Sequence, residues 1–266
     1  MTFHTNTLCT DLKLLLRTFS GILALILTLA LLPGCDDKQD ASSNKNIFAK
    51  ENLCEKGITA LEAKDYKVAV ECFTRGADNG DLDSLVMLST CYHGGLGIEK
   101  DEEKAKKLVE QAAKAGNATA MAGYGILLRD QGENDWVEYL EKSAEKECVL
   151  ALFALAMFYA EDGKNEKALE LFEKLANLPM TDRKSLIDYM TGASDDMNDI
   201  KEDFKLKNPN TTNFAIVMAQ MMLGTAYAQG NDEVKQDRTK AKEWMNKAKE
   251  NGFVHADDYM KALGLD

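Results

Sequence analysis

One arrangement of residues recurs along this chain and limits what it can fold into. It is clearest between Ser84 and Asn117. Leu85, Leu88 and Tyr92 make an i, i+3, i+7 apolar face, the spacing of a helix. His93-Gly94-Gly95-Leu96-Gly97 interrupts that helix, because glycine loses more backbone freedom there than any other residue. A second helix is expected to open at Asp101, an N-cap type, with Glu102 and Glu103 in its positive first turn. Its buried face is expected to hold Ala105, Leu108, Ala112 and Ala113, and Gly116-Asn117 marks its end.

The same plan repeats. A small residue of the first helix falls at Gly57, Ser89, Gly125, Ala156 and Gly224. Three residues later stand Ala60, Tyr92, Leu128, Tyr159 and Tyr227. The second helix opens around Ala69, Ala105, Val137, Ala168 and Ala241, and comes back to alanine at Ala77, Ala112, Ala144, Ala176 and Ala248. Small residues at fixed places let two helices approach closely, and a recurring unit of this size stacks with its neighbours. The pattern resembles the Sel1-like repeat, a relative of the tetratricopeptide repeat. Leu88, Tyr92, Gly95, Gly97, Ile98, Asp101, Lys104-Ala105, Ala112-Ala113 and Gly116 match that motif in order, with Ser89 where the family usually has glycine. The resemblance implies an all-α fold, a superhelical solenoid of antiparallel helix hairpins. Four repeats are expected over 51–177, a divergent helical hairpin or insertion in the place of one repeat over 178–212, and a final repeat over 213–266. Val254 to Leu263 reads as a capping helix over the last apolar face, which an open solenoid needs.

Residues 1–34 read as a signal peptide. Lys13 and Arg17 flank an apolar run from Phe19 to Leu32 that is short for a membrane span of about 20 residues. Leu32-Pro33-Gly34-Cys35 resembles the bacterial lipobox, whose cysteine carries the lipid, so the resemblance assigns lipidation to Cys35. In enterobacterial lipoproteins an aspartate at the next position, here Asp36, implies retention in the inner membrane. Residues 35–50 are polar and read as a lipidated flexible tether. An envelope location, facing the periplasm, is therefore expected.

An exported chain meets an oxidising compartment, where disulfides persist. Cys54 and Cys72 fall at hairpin positions that are apolar in the other repeats (Val86 with Leu108, Phe153 with Leu171), so a Cys54–Cys72 bridge is expected, with two buried thiols as the alternative. The cysteines lack the spacing of a zinc site.

Chemistry-bearing residues are scarce. Beyond residue 35 the histidines are His93 and His255, and the nucleophile-elbow, phosphate-loop and His-Glu-x-x-His motifs are absent. Neither catalytic residue, metal nor cofactor is expected. The net charge of −12 disfavours nucleic acid, whose binding needs cationic side chains to displace counterions. What remains is a protein-binding scaffold held at a membrane by its lipid anchor, with another protein as partner. Ser84, Thr90, Met121, Arg129, Met157 and Gln220 are the residues of the first helices expected to line its concave face. Some exported members of the resembled family are immunity proteins against type VI secretion effectors, phospholipase-type ones included, and an acidic surface suits a basic secreted partner. An envelope adaptor is the alternative. A penicillin-binding or weakly β-lactamase-like enzyme is a lesser one, since the members so described carry a regular cysteine pair in each repeat that is missing here.

Overall fold

A computed structural model describes residues 52–180 and 211–265. The leader, the lipobox cysteine and the tether lie outside the described residues, as does most of the divergent 178–212 region. Among the described residues there are eleven helices and no strands. They pair as hairpins: α1 Leu53–Glu62 with α2 Tyr66–Asp78, α3 Leu82–Gly94 with α4 Glu102–Lys114, and α5 Ala118–Asp130 with α6 Trp136–Glu145. α7 Val149–Glu161 pairs with α8 Asn165–Ala176, and α9 Thr211–Gln229 with α10 Arg238–Glu250. α11 Ala256–Ala262 follows. The first helix of each pair (A) packs on its own second helix (B) and on the B helix before it, which stacks the hairpins into two layers.

The repeat register is written in two backbone hydrogen bonds. Entering each B helix, the amides of Asp65, Asp101, Glu133, Lys164 and Asp237 donate to the carbonyls of Ala60, Tyr92, Leu128, Tyr159 and Tyr227. Those acceptors are the five residues that stand three places after the small residue of each A helix. Leaving B helices, the amides of Asp81, Asn117, Cys148 and Phe253 return to Gly76, Ala112, Ser143 and Ala248. Side-chain caps reinforce many starts: Asp101 accepts from the Lys104 amide at 2.9 Å, Asn117 from Ala120 at 2.9 Å and Asp237 from Lys240 at 3.0 Å. Each such cap is worth about 1 kcal/mol. Gly95 ends α3 in the left-handed conformation (φ 66°), which suits a residue without Cβ. Gly97 lies so close to the Tyr66 carbonyl that a Cβ would come within 2.4 Å of it, which presses the turn against the preceding hairpin.

A and B helices bury their surfaces differently. α4 is amphipathic and buries Ala105, Val109, Ala112 and Ala113; Leu108 is half-buried between two clusters, and Val109 takes the central place expected for it. α7 buries every residue from Ala151 to Tyr159, more than two full turns with no exposed face. One core runs from Leu85 through α7 to Trp244, so the hairpins share their interior. At the C-terminal end Met260, Leu263 and Leu265 pack over Ala228 and Ala241, as a capping helix requires.

The link between α8 and α9 is longer than the others. Other B-to-A links have three residues (79–81, 115–117 and 146–148), whereas this one runs from 177 to 210. α9 packs directly on α8 and on α7, so the fifth hairpin stacks on the fourth as the other hairpins stack on their neighbours.

Candidate interaction face

The six residues expected on the concave face come from A helices, and the structure places them unevenly. Ser84 is buried against Gly76, and its hydroxyl donates to Asp81. Thr90 is buried and donates to the Val86 carbonyl at 3.2 Å. Met121 and Met157 are core residues. Gln220 is 3% exposed; its amide donates to the last carbonyl of α8, Ala176, at 3.1 Å and accepts from Asn251 at 3.1 Å. It satisfies a helix C-terminus rather than offering itself to a partner. The open concave lining expected from these five is thus corrected: each is taken up by packing or by a backbone partner.

Arg129 alone of the six keeps a partly exposed side chain, 21%. Its guanidinium lies 3.7 Å from the Phe158 ring centroid and 4.9 Å from that of Trp136, the stacked geometry in which arginine sits well on aromatics. One terminal nitrogen donates to Glu161 at 3.0 Å and lies 3.6 Å from Asp162. Burial raises the carboxyl of its neighbour Asp130 above the ordinary aspartate range. Arg129 therefore joins the ends of the third and fourth A helices.

The recurring tyrosines do more than pack. Tyr159 donates to Glu141 at 2.7 Å and Tyr227 to Glu173 at 2.6 Å, each reaching the B helix of the preceding hairpin. Burial first, and the carboxylate second, pushes both phenols up to about 12. Lysines lie over the same rings: Lys104 on Tyr92 at 4.2 Å, Lys164 and Lys167 on Tyr159 at 5.3 Å, and Lys240 on Tyr227 at 4.9 Å. Trp244 is buried and Trp136 packs edge-on to Phe158 at 5.4 Å, so both tryptophans are packing residues.

The expected Cys54–Cys72 bridge is not formed; both are free thiols. Cys54 is turned toward the start of α3, beside Asp81, Asp83 and Ser84; burial first, then the Asp81 and Asp83 charges, push its thiol up to about 12 against a hydrogen bond with Ser84 that favours the thiolate. Cys91 is buried and its thiol is likewise pushed up to about 12.

Catalytic geometry is not assembled among the described residues. No cluster of three metal-ligating side chains occurs there. Ser143-Ala144-Glu145-Lys146 has the Ser-x-x-Lys spacing of penicillin-recognising serine enzymes. Ser143, however, is fully buried and donates to the Ala118 carbonyl at 2.6 Å, while Lys146 turns away to the Gly116 carbonyl at 3.0 Å. Nor is any described helix long and apolar enough to cross a membrane.

The family model for the Sel1 repeat matches residues 52–81, 82–117, 149–179 and 217–253, about half of the chain. This chain belongs to the Sel1 repeat family. The third hairpin, residues 118–148, lies outside those matches although α5 and α6 pair and stack as the others do. A protective antigen present in uropathogenic Escherichia coli strains, displaying the SLR fold, is similar at 22% identity and a TM-score of 0.43, over 80% of this chain and 50% of that one. The Sel1 repeat protein therefore spans half the length of that relative. A Sel1 repeat protein from Oxalobacter formigenes gives 22% identity and a TM-score of 0.42, over 75% of this chain and 85% of that one. An immunity protein from Pseudomonas aeruginosa gives 16% and 0.42, over 80% and 90%. No curated protein matches the sequence. The molecule is thus a solenoid of Sel1 repeats.

Proposed function

We propose that this scaffold is an envelope lipoprotein that binds and neutralises an antibacterial effector delivered by a type VI secretion system, in the manner of an immunity protein. The reading is supported by the pairing of a leader-like segment ending in the lipobox-like Leu32-Pro33-Gly34-Cys35 with a Sel1 repeat solenoid. A binder needs surface and an address: the solenoid offers the first, and the leader-like segment would supply the second. Its acidic balance of −12 would speed capture of a basic partner through long-range attraction. Lipid attached at Cys35 would hold it where incoming effectors act, since two or more acyl chains give firm anchoring.

The test has two arms. Affinity-tagged full chain, expressed with its own leader, is recovered from membrane extracts mixed with secretions of sibling strains. A stoichiometric secreted protein in the eluate is expected, together with poor survival of the deletion strain against effector-armed kin. Survival equal to that of the parent removes the immunity reading. Recovery of resident assembly proteins alone points to an envelope adaptor.

A further inference from the structure

The shared interior stops short of the first hairpin. Ala60 and Leu61 of α1, Ala69 and Phe73 of α2, and Met87, Leu88 and Cys91 of α3 form a cluster of their own. The main core begins at Leu85 and Val86 of the same α3 and runs the other way, to Trp244. Only the half-buried Ala77 and Leu108 pack against both. Among the described helices the first hairpin stacks on the second alone, whereas each inner hairpin stacks on two neighbours. A repeat array holds each unit by its own stability plus its interfaces with its neighbours.

This hairpin also carries backbone costs that the inner ones avoid. Gly76 stands inside α2, whereas the other described B helices contain no glycine. A glycine there costs about 1 kcal/mol against alanine. Lys64, in the turn between α1 and α2, holds the left-handed conformation with φ 60°. At the same place in the third and fourth hairpins stand Gly132 and Gly163, with φ 74° and 76°. A side chain in that conformation costs roughly 1–2 kcal/mol. The contact of α2 with the start of α3 is made by small groups: Gly76 lies against Ser84, whose hydroxyl turns back to donate to Asp81 at the cap of its own helix. Later seams are tied by bonds between side chains, Tyr159 to Glu141 and Tyr227 to Glu173.

We propose that the first hairpin detaches as a unit while the remaining hairpins stay folded, with the hinge at the seam between α2 and α3. Openings of one cooperative unit cost less free energy than global unfolding. This opening uncovers the apolar side of α3, with Met87, Leu88 and the Cys91 thiol, all buried in the closed stack. The solenoid thus has a second, latent face that the closed molecule keeps inside.

Native-state hydrogen exchange of the full chain tests this. The slowest amides of α2 are expected to exchange at least tenfold faster than the slowest amides of α7, through one opening shared with α1. Equal protection of α2 and α7, lost together at global unfolding, overturns the proposal. Two substitutions move the hinge in opposite directions, read by thiol labelling of Cys91. Gly76→Ala drives a methyl group into the Ser84 side chain at the seam. It should speed labelling at least tenfold while the fluorescence of Trp136 and Trp244 stays as it is. Lys64→Gly relieves the turn and should slow labelling at least twofold. Loss of the tryptophan signal together with Cys91 protection in Gly76→Ala overturns the proposal, as does an unchanged labelling rate in both variants.

Discussion

The phenol of Tyr227 in α9 donates to the Glu173 carboxylate of α8 at 2.6 Å, and one hairpin earlier Tyr159 does the same to Glu141 of α6. Each bond crosses from one repeat to the one before it. Nearest-neighbour terms of this kind hold a solenoid together. Replacing Tyr227 with Phe removes the donor and leaves a carboxylate that water can still reach. A loss of about 1 kcal/mol is expected, the usual net worth of such a bond, read as a lower denaturant midpoint.

The same two residues predict a response to alkali. Both folded phenols titrate at about 12, above the ordinary value near 10. The protonated phenol is thus favoured by folding. The associated stability is fully present below pH 10 and is lost as pH rises toward 12. A pH titration followed at the tyrosinate absorbance should show Tyr159 and Tyr227 ionising late, with Tyr124 also raised by its burial. Converting both Tyr159 and Tyr227 to Phe should shrink that late component and flatten the loss of stability between pH 10 and 12.

The hairpin pattern was legible because glycine and aspartate act locally. Gly95 and Asp101 define a turn by their own backbone preferences, and the structure puts the turn there. The A-helix environment was not legible. A helix that is apolar on every side, such as Val149–Glu161, carries no periodic signal to say which side meets what. Gln220 shows the same limit from the polar side: sequence gives an amide on an apolar helix, but not that the last carbonyl of α8 lies opposite. Cys54 failed as a bridge partner because repeat alignment gives a position within a hairpin and ignores the next hairpin, toward which its thiol turns.

Position 57 is expected to reject even one methyl group. A Cβ on Gly57 would fall 2.4 Å from Cε1 of Phe73, a rigid and fully buried ring. Overpacking typically costs 1–3 kcal/mol, against about 1 kcal/mol gained from alanine's helix propensity. Gly57→Ala is therefore expected to destabilise by about 1 kcal/mol. At the equivalent place in the fourth hairpin Ala156 is fully buried with its methyl accommodated, so Ala156→Gly should also destabilise by about 1 kcal/mol, here through lost packing and helix propensity. Opposite substitutions at matching sites with the same sign, measured by urea unfolding, would show that each hairpin has its own fit.

Thiol chemistry offers a direct check on the burial of the first two hairpins. With thiols at about 12, Cys54 and Cys91 hold only about one part in ten thousand as thiolate at pH 8. Labelling by iodoacetamide at that pH should leave both largely unmodified in the folded protein and modify both in urea. Rapid reaction of Cys91 in the native state would contradict its place inside the α3 core.

The start of α8 is held from the neighbouring hairpin. Its cap residue, Lys164, contributes no side-chain acceptor, whereas Glu233 in the turn before α10 accepts from the Asn165 amide at 2.8 Å. Asn231 shapes that turn by accepting from the Glu233 and Val234 amides at 2.9 and 2.7 Å. A carboxylate at a helix N-terminus satisfies an orphan amide and faces the positive end of the helix dipole. Glu233→Ala should therefore cost about 1 kcal/mol, with faster hydrogen exchange at Asn165. Glu233→Gln keeps an acceptor and should lose only the charge contribution, about 0.5 kcal/mol, a difference that shrinks as salt is raised. If exchange at Asn165 stayed the same in both variants, the link from the fifth hairpin to the fourth would rest on the packing of α9 alone.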